Sequence, residues 1–561
     1  MIRGLEITNF KAFAGPETIP IRPITLIYGP NSSGKSCIIQ ALLLLKQTLE
    51  ESRDPQEALR PRGTLVDLGG YRDLVHRHEI ETNISFALVI SFPQRGDDDA
   101  FYGPKCEWNA DRTKVTYDDE TSVLLDDPGI VELVSPPQVG LGVTFSQSKA
   151  DSRVCVWRLD LRVGGERDPI FSSGTLPQQG VRTPLEDSPS NGDISPFWRA
   201  FWDKHADRWV YDLVERSIKP ELDAAESELR KELETKYADD VRLTGIDMLG
   251  RAVALANMIE PIIREKRRQM VKEATTDEDR VTVYRRFQER ARFLRHYALV
   301  PREHFLPSDT VDVEPNDDSH IHLMDCAAIY LLKFASRKLR RCLSDIAYLG
   351  PLRHSPQRIY VADPSARSYL GKSGDMLPHI LFASPGHVEG LNRWVPDILG
   401  YTLRVVPLKS EASEPSDVFE LRVVDKSSGL TVPMADVGFG ICQVLPVLVQ
   451  SALLKEQILC IEQPEIHLHP RLQAELGSFF ARCASKLNNA FIIETHSEHL
   501  MLRIQKLIRE GTLKPDDVSV IYVDKGPESS KCLRLRLDDE GDFIDPWPGG
   551  FFEEGFKEIF D

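Results

Sequence analysis

Short apolar runs closed by glycine, proline or a carboxylate recur along the chain. Ile24–Tyr28 is compact, includes β-branched residues and is ended by Gly29 and Pro30, which predicts a buried strand. Ile2, Leu5, Ile7 and Phe10 mark an earlier strand, and IIQALLLLKQTL after Cys37 has the length and composition of a helix. Residues 80–165 read as β-rich: segments 83–92, 114–117 and 154–161 alternate apolar and polar positions between Gly, Asp and Pro. Residues 166–194, rich in Pro, Ser and Gly, read as a loop. Residues 195–300 place apolar residues three and four apart among many charges, which predicts helices. No sustained heptads appear there, so a long coiled coil is not expected. Residues 311–319 form an acidic linker, and after about 322 helices and strands alternate, the pattern of an α/β domain. No internal repeat is visible.

At 561 residues the chain is long enough for roughly two to four domains. With 41% hydrophobic residues it can bury a substantial core, and its net charge of −17 argues against a general nucleic-acid coat, so any DNA contact needs a local basic face. No apolar run reaches the ~18 residues of a membrane helix, and MIRGLEITNF lacks the apolar core of a signal peptide. The nine cysteines are scattered without a CxxC pair. They read as reduced, mostly buried thiols of a cytoplasmic protein without a zinc site.

Against that background the run Gly29, Pro30, Asn31, Ser32, Ser33, Gly34, Lys35, Ser36 stands out. It fits GxxxxGK[ST] and, with Cys37 after it, lies between a predicted strand and a predicted helix. Such a loop wraps a di- or triphosphate with backbone N–H groups; Lys35 reaches the β- and γ-phosphates and Ser36 ligates Mg²⁺. Far downstream, the apolar run Gln457–Ile461 predicts a buried strand that ends in Glu462, Gln463, Pro464 and Glu465, and a carboxylate at such a strand end suits a magnesium site. A further apolar run ends in Glu494, Thr495 and His496, which places a histidine where a γ-phosphate can be sensed. Gly438 and Gly440 open an apolar helix, a second place for a phosphate contact.

The order of these motifs resembles the ATP-binding-cassette ATPase head, in particular the RecF-like, structural-maintenance-of-chromosomes-like and OLD-family ATPases. The similarity is carried by IRGLEITNFKAFAG…ITLIYGPNSSGKS, VDLGGYRDLVH (66–76), YLGPLRHSPQRIY (348–360), DVGFGICQVLPVL (436–448), IEQPEIHLHPRLQ (461–473) and ETHSEHLMLR (494–503). DPWPGGFFEE (545–554) resembles a small C-terminal module of unknown function found on some bacterial ATPases. The resemblance implies an α/β fold: an ABC-type head split by a large insertion, with a small C-terminal module. The expected divisions are 1–80 and 345–526 for the two head halves, 81–344 for an inserted β-rich lobe and helical arm, and 527–561 for the module.

The resemblance also implies a mechanism. Two heads dimerise head to tail, or assemble further, and sandwich ATP with Mg²⁺ between one phosphate loop and the partner's glycine helix. Lys35 and Ser36 then hold phosphate and Mg²⁺, Glu462 supports the metal, Gly438 and Gly440 face the partner's ATP, and His496 senses the γ-phosphate. Arg60 or Arg62 lies near the place of an ATP- or DNA-contacting arginine. The sequence departs from the pattern where Gln463 replaces the usual catalytic glutamate. A neutral amide is a poor base, which implies slow hydrolysis or a substitute base in Glu465. The usual serine of the glycine-helix signature is also missing.

About 400 residues separate Ser36 from Gly438, far more than in a transporter's nucleotide domain, and no membrane partner is expected. Residues 251–300 carry 12 Lys/Arg against 7 Asp/Glu, so the arm offers DNA a basic face; a solvated helix surface is the competing reading. OLD-family nucleases continue into a TOPRIM domain with a DxD motif. No such motif follows Ser497, so cleavage is expected from a separate effector, a nuclease or toxin. Two functions stay open: an ATPase controlling action on DNA or an effector in antiphage defence or genome maintenance, and a nearly non-hydrolytic nucleotide-gated scaffold that holds or releases its effector.

Overall fold

The computed structural model describes residues 1–52, 57–91, 138–147, 153–163, much of 203–237, 248–294, 319–363, 369–409 and 415–550, with short strands at 105–108, 114–118, 171–174 and 310–312. Within the loop expected over 166–194, residues 171–174 instead form a strand paired with Val154–Val163; the rest of it, most of the acidic linker and the end of the tail fall outside the described residues.

The central sheet has six strands in the order Ile346–Leu349, Ile458–Glu462, Ala490–Glu494, Ile24–Tyr28, Val518–Lys525, Ser530–Leu535. The first five run parallel and the sixth closes an antiparallel hairpin. Ile24–Tyr28, Ile458–Glu462 and Ala490–Glu494 are buried at every position, because a parallel sheet is covered on both faces. Successive residues serve opposite faces. Leu26 and Tyr28 pack toward the helices Pro470–Leu487 and Glu498–Arg509, whereas Ile27 packs toward the helix Lys35–Glu51. The parallel arrangement brings Tyr28, Glu462, Glu494 and Leu349 to the same, carboxyl-terminal edge, where open α/β sheets bind ligands.

A second sheet, antiparallel throughout, runs Glu17–Pro20, Ile2–Thr8, Ile84–Ser91, Gln138–Gln147, Val154–Val163, Phe171–Gly174. It joins strands from both sides of residue 80, so the phosphate-loop end and the β-rich segment share one core. Phe10, Phe86 and Phe145 stack edge to face within it.

A third unit, residues 360–433, is a small antiparallel sheet built on Tyr401–Lys409 and Pro415–Asp425 with three short helices. Its core packs on the helix Phe439–Leu453 and so fixes the position of Gly438. In the insertion, Lys219–Tyr237, Met248–Ala274 and Asp277–Leu294 are helices, as the periodicity predicts. The longest has 27 residues, about 40 Å of rise, and packs on its neighbour through Leu233, Ile259 and Ile263. No helix among the described residues is long and apolar enough to cross a membrane. The described cysteines Cys37, Cys155, Cys342, Cys442, Cys460, Cys483 and Cys532 are free thiols.

Candidate functional site

The phosphate loop is shaped by two glycines that no other residue replaces. Gly29 has φ +143° and Gly34 φ +99°. A Cβ on Gly29 would lie 2.4 Å from the Val523 carbonyl oxygen, and one on Gly34 2.5 Å from the Ala12 Cβ. Pro30 and Asn31 form the exposed lip, Ser32 takes φ +60°, and Gly34 caps the helix that opens at Lys35. Lys35 is 4% exposed and its Nζ folds back to donate to the carbonyls of Gly29 (3.1 Å) and Pro30 (2.9 Å). Burial lowers its pKa, opposed by the carboxylates of Glu494 and Glu465. The Ser33 hydroxyl is buried without a partner among the described residues. A vacant donor beside a ring of backbone amides at a helix N-terminus fits a phosphate oxygen.

Three carboxylates face this loop. Glu462 and Glu494 are register neighbours on adjacent strands, and Glu494 pairs in turn with Ile27 of the phosphate-loop strand. The Tyr348 hydroxyl donates to Glu462 Oε1 at 2.9 Å, and the Ser36 hydroxyl donates to Glu494, whose Oε2 has no partner among the described residues. Burial first, then the Glu494 charge, pushes Glu462 up to about 7, and burial raises Glu465 and Glu494 as well. Glu465 Oε1 accepts from the His496 backbone N–H at 2.7 Å, which ties the two motifs together. Burial, then the charge of Lys35, lowers the His496 imidazole. No cluster of three or more metal-ligating side chains forms among the described residues. The donor set instead suits Mg²⁺, which takes one or two protein oxygens and completes its shell with water and phosphate. Ser36 and Glu462 would hold it.

Gln463 takes φ +45°, a left-handed conformation costing about 1–3 kcal/mol in a non-glycine residue. Its N–H donates to the Glu494 carbonyl at 2.7 Å, and its own carbonyl accepts from Arg353 Nη1 at 3.1 Å. Sequence reasoning singled out neither Arg353 nor Tyr348, and named Glu494 as a strand end without giving it a role. Tyr348 and Arg353 were legible only as polar residues inside the quoted match YLGPLR.

The two glycines of the helix opening differ. Gly438 is solvent-exposed and a Cβ there meets nothing within 4 Å, so it is open to a partner. Gly440 lies against its own chain, where a Cβ would come 2.3 Å from the His467 carbonyl oxygen. Arg60 pairs with Glu57 at 3.0 Å and lends its carbonyl to Gln47, while Arg62 is exposed beside Asp67. In the arm, Arg267 is engaged internally, 2.6 Å from Glu215 and 3.0 Å from Glu226. Arg264 and Arg268 are exposed, with loose pairs to Glu260 and Glu265. The side chains of Arg290, Arg292 and Arg295 lie outside the described residues.

An AAA ATPase domain family matches residues 1–243. A second AAA domain family, whose description names the AbiEii toxin and a type IV toxin–antitoxin system, matches 352–502. The chain is an AAA ATPase. These two matches contain the phosphate loop on one side and Gly438, Glu462 and His496 on the other. The tail of the ATPase, 513–561, matches a protein family of unknown function, DUF3696. No curated protein matches the chain. Among solved structures, an SMC head domain with an extended coiled coil bound to the C-terminal domain of ScpA, from Pyrococcus furiosus, is similar at 12% identity and TM-score 0.33, covering 100% of this ATPase and 98% of that chain. An SMC head with a coiled coil and joint from Pyrococcus yayanosii has 13% identity, TM-score 0.33 and coverages of 96% and 98%. The SMC head domain from Thermotoga maritima has 11%, 0.33, 96% and 99%. At such scores the overlays carry no residue correspondence.

Proposed function

We propose that this AAA ATPase binds ATP and Mg²⁺ in the phosphate loop, dimerises head to tail through the Gly438 end of its glycine helix, and uses the nucleotide cycle in the cytoplasm to control DNA or a separate effector protein. The observation that carries the reading is the cradle itself: the folded-back Lys35, the unpartnered Ser33 hydroxyl and Ser36 stand opposite Glu462 and Glu494. Lys35 exchanges two carbonyls for phosphate oxygens, and Ser33 gains a partner. Bound Mg²⁺ neutralises phosphate charge. Glu465 fixes the loop carrying His496 beside the nucleotide, and burial with the Lys35 charge favours its neutral imidazole. A head domain split by an insertion and a tail module, over 1–80, 81–344, 345–526 and 527–561, is the organisation that suits this role. The toxin–antitoxin description of the second AAA family supports a defence setting. The exposed Arg264, Lys266, Arg268 and Arg285 are the arm's support for a DNA contact.

One observation favours the scaffold alternative: the residue after Glu462 is an amide, with a pinned backbone and no proton-accepting group. A single set of measurements tests both. Equilibrium ATP binding should be lost in Lys35→Ala, and unchanged affinity there sinks the reading. Steady-state turnover should be low in the wild type and rise in Gln463→Glu, since a general base contributes about 10²–10⁴-fold. If Glu465 already serves as base, Glu465→Gln removes the activity and Gln463→Glu adds little. If neither changes turnover, the scaffold stands.

A further inference from the structure

Arg353 lies in the turn after the strand Ile346–Leu349 and is 5% exposed. A guanidinium so deeply buried is costly unless its donors are matched; here both terminal nitrogens are matched, while Nε is buried without a partner among the described residues. Nη2 donates to the Glu462 carbonyl at 2.7 Å, and Nη1 donates to the Gln463 carbonyl at 3.1 Å and the Pro351 carbonyl at 3.2 Å. The first two carbonyls flank the peptide that ends the magnesium-carboxylate strand. The backbone of Arg353 closes a second pair of bonds. Its N–H donates to Gln443 Oε1 at 3.1 Å, and its carbonyl accepts from Gln443 Nε2 at 3.2 Å. Gln443 is buried in the helix Phe439–Leu453, which Gly438 caps. One residue therefore spans from the glycine helix to the strand end with hydrogen bonds at both ends. At the strand end it holds Gln463 in a strained left-handed conformation that the Glu494 carbonyl pins from the other side. Strain persists only where surrounding bonds over-determine it, and such places cluster at sites that switch.

We infer that Arg353 is a positioning residue that couples the glycine helix to the Glu462–Gln463 peptide, so that a second copy's nucleotide docking at Gly438 sets the backbone beside the attacking water. This rests on the head-to-tail reading above. The coupling is mechanical. Displacement of the helix carries the Gln443 amide, which carries the Arg353 backbone, and the planar guanidinium carries both carbonyls together. A lysine keeps the charge but presents a point donor instead of a fork and cannot hold two carbonyls in fixed register.

The test uses the full chain with ATP and Mg²⁺. Arg353→Lys and Gln443→Leu should each lower kcat by about 3- to 30-fold, the range of coupling losses along such contacts. ATP affinity and nucleotide-driven dimerisation by light scattering should stay near wild type, while the rise of specific activity with protein concentration disappears. The double variant should be no slower than the slower single variant, because both cut one linkage. Amide exchange across residues 463–465 gives a readout independent of turnover: dimerisation should slow it in the wild type and not in Arg353→Lys. Additive losses, or exchange that slows equally in both proteins, overturn the inference. A wild type that binds no ATP overturns the functional reading, and this inference with it. A wild type with dimer-dependent turnover that Arg353→Lys leaves intact overturns the inference alone.

Discussion

In the proposed site Glu462 bears two opposing demands, to be charged for Mg²⁺ and to be buried beside another carboxylate. Burial and Glu494 place its pKa at about 7, above the usual carboxylate value of 4.5. The sign follows from proton linkage: between these values the folded state binds more protons than the unfolded one, so stability falls as pH rises. The penalty is absent below about 4.5 and complete above about 7, on the order of 3 kcal/mol. Without nucleotide or Mg²⁺, the thermal midpoint of the wild type should therefore drop from pH 5 to 7.5 relative to that of Glu462→Gln. Parallel melting curves for the two proteins would count against the burial of this charge. Metal competes with the proton, so Mg²⁺ should restore stability chiefly at the upper end of that range.

At the scale of elements, the opening of the helix Phe439–Leu453 turns one glycine to its own chain and the other to solvent. Gly440 has no room for a Cβ beside His467, whereas Gly438 has open space and φ −52°, which any residue tolerates. Gly440→Ala should destabilise the monomer by about 1–3 kcal/mol through overpacking, seen as a lower midpoint in chemical denaturation. Gly438→Leu should leave that midpoint within about 1 kcal/mol, the scale of a cap change, and instead weaken ATP-dependent dimerisation. Dimers of Gly438→Leu as tight as those of the wild type would remove Gly438 from the interface. Within the arm, the pairing of Arg267 with Glu215 and Glu226 makes part of the basic stretch an inter-helix brace.

Across the whole molecule, the tail reaches back to the head's first motif. Trp547 stacks edge to face on Tyr28 (5.4 Å), Tyr522 (6.1 Å) and Phe543 (5.0 Å), and Tyr28 donates its hydroxyl to the Ser497 carbonyl at 3.0 Å. Tyr28 immediately precedes Gly29 and Ser497 follows His496, so the tail packs against the frame of the phosphate site. Arg536 grips Asp545 with two donors and its backbone N–H, closing the tail's loop. Trp547→Ala should cost about 2–3 kcal/mol, less than a fully buried Trp because this one is half-buried. It should also open residues 536–550 to limited proteolysis and weaken ATP binding. Unaltered proteolysis would mean that the tail is held by other contacts.

Local sequence determined the parts whose chemistry is contiguous. The phosphate loop is legible because glycines at Gly29 and Gly34 are required by backbone geometry within eight residues, and the buried strands because a parallel sheet demands unbroken apolar runs. The helices of the arm are legible from spacing alone. Tertiary structure decided what depends on residues far apart in the chain. Glu494 became a partner of Ser36, and Arg353 a clamp on Glu462 and Gln463, only because parallel strands bring their ends to one edge. The two glycines of one helix, alike in sequence, were told apart by the carbonyl of His467. Charges read as a surface became a brace in the same way. A polar side chain carries no periodic signature of its partner, and burial, which gives that partner its value, is set by the packing of the whole chain.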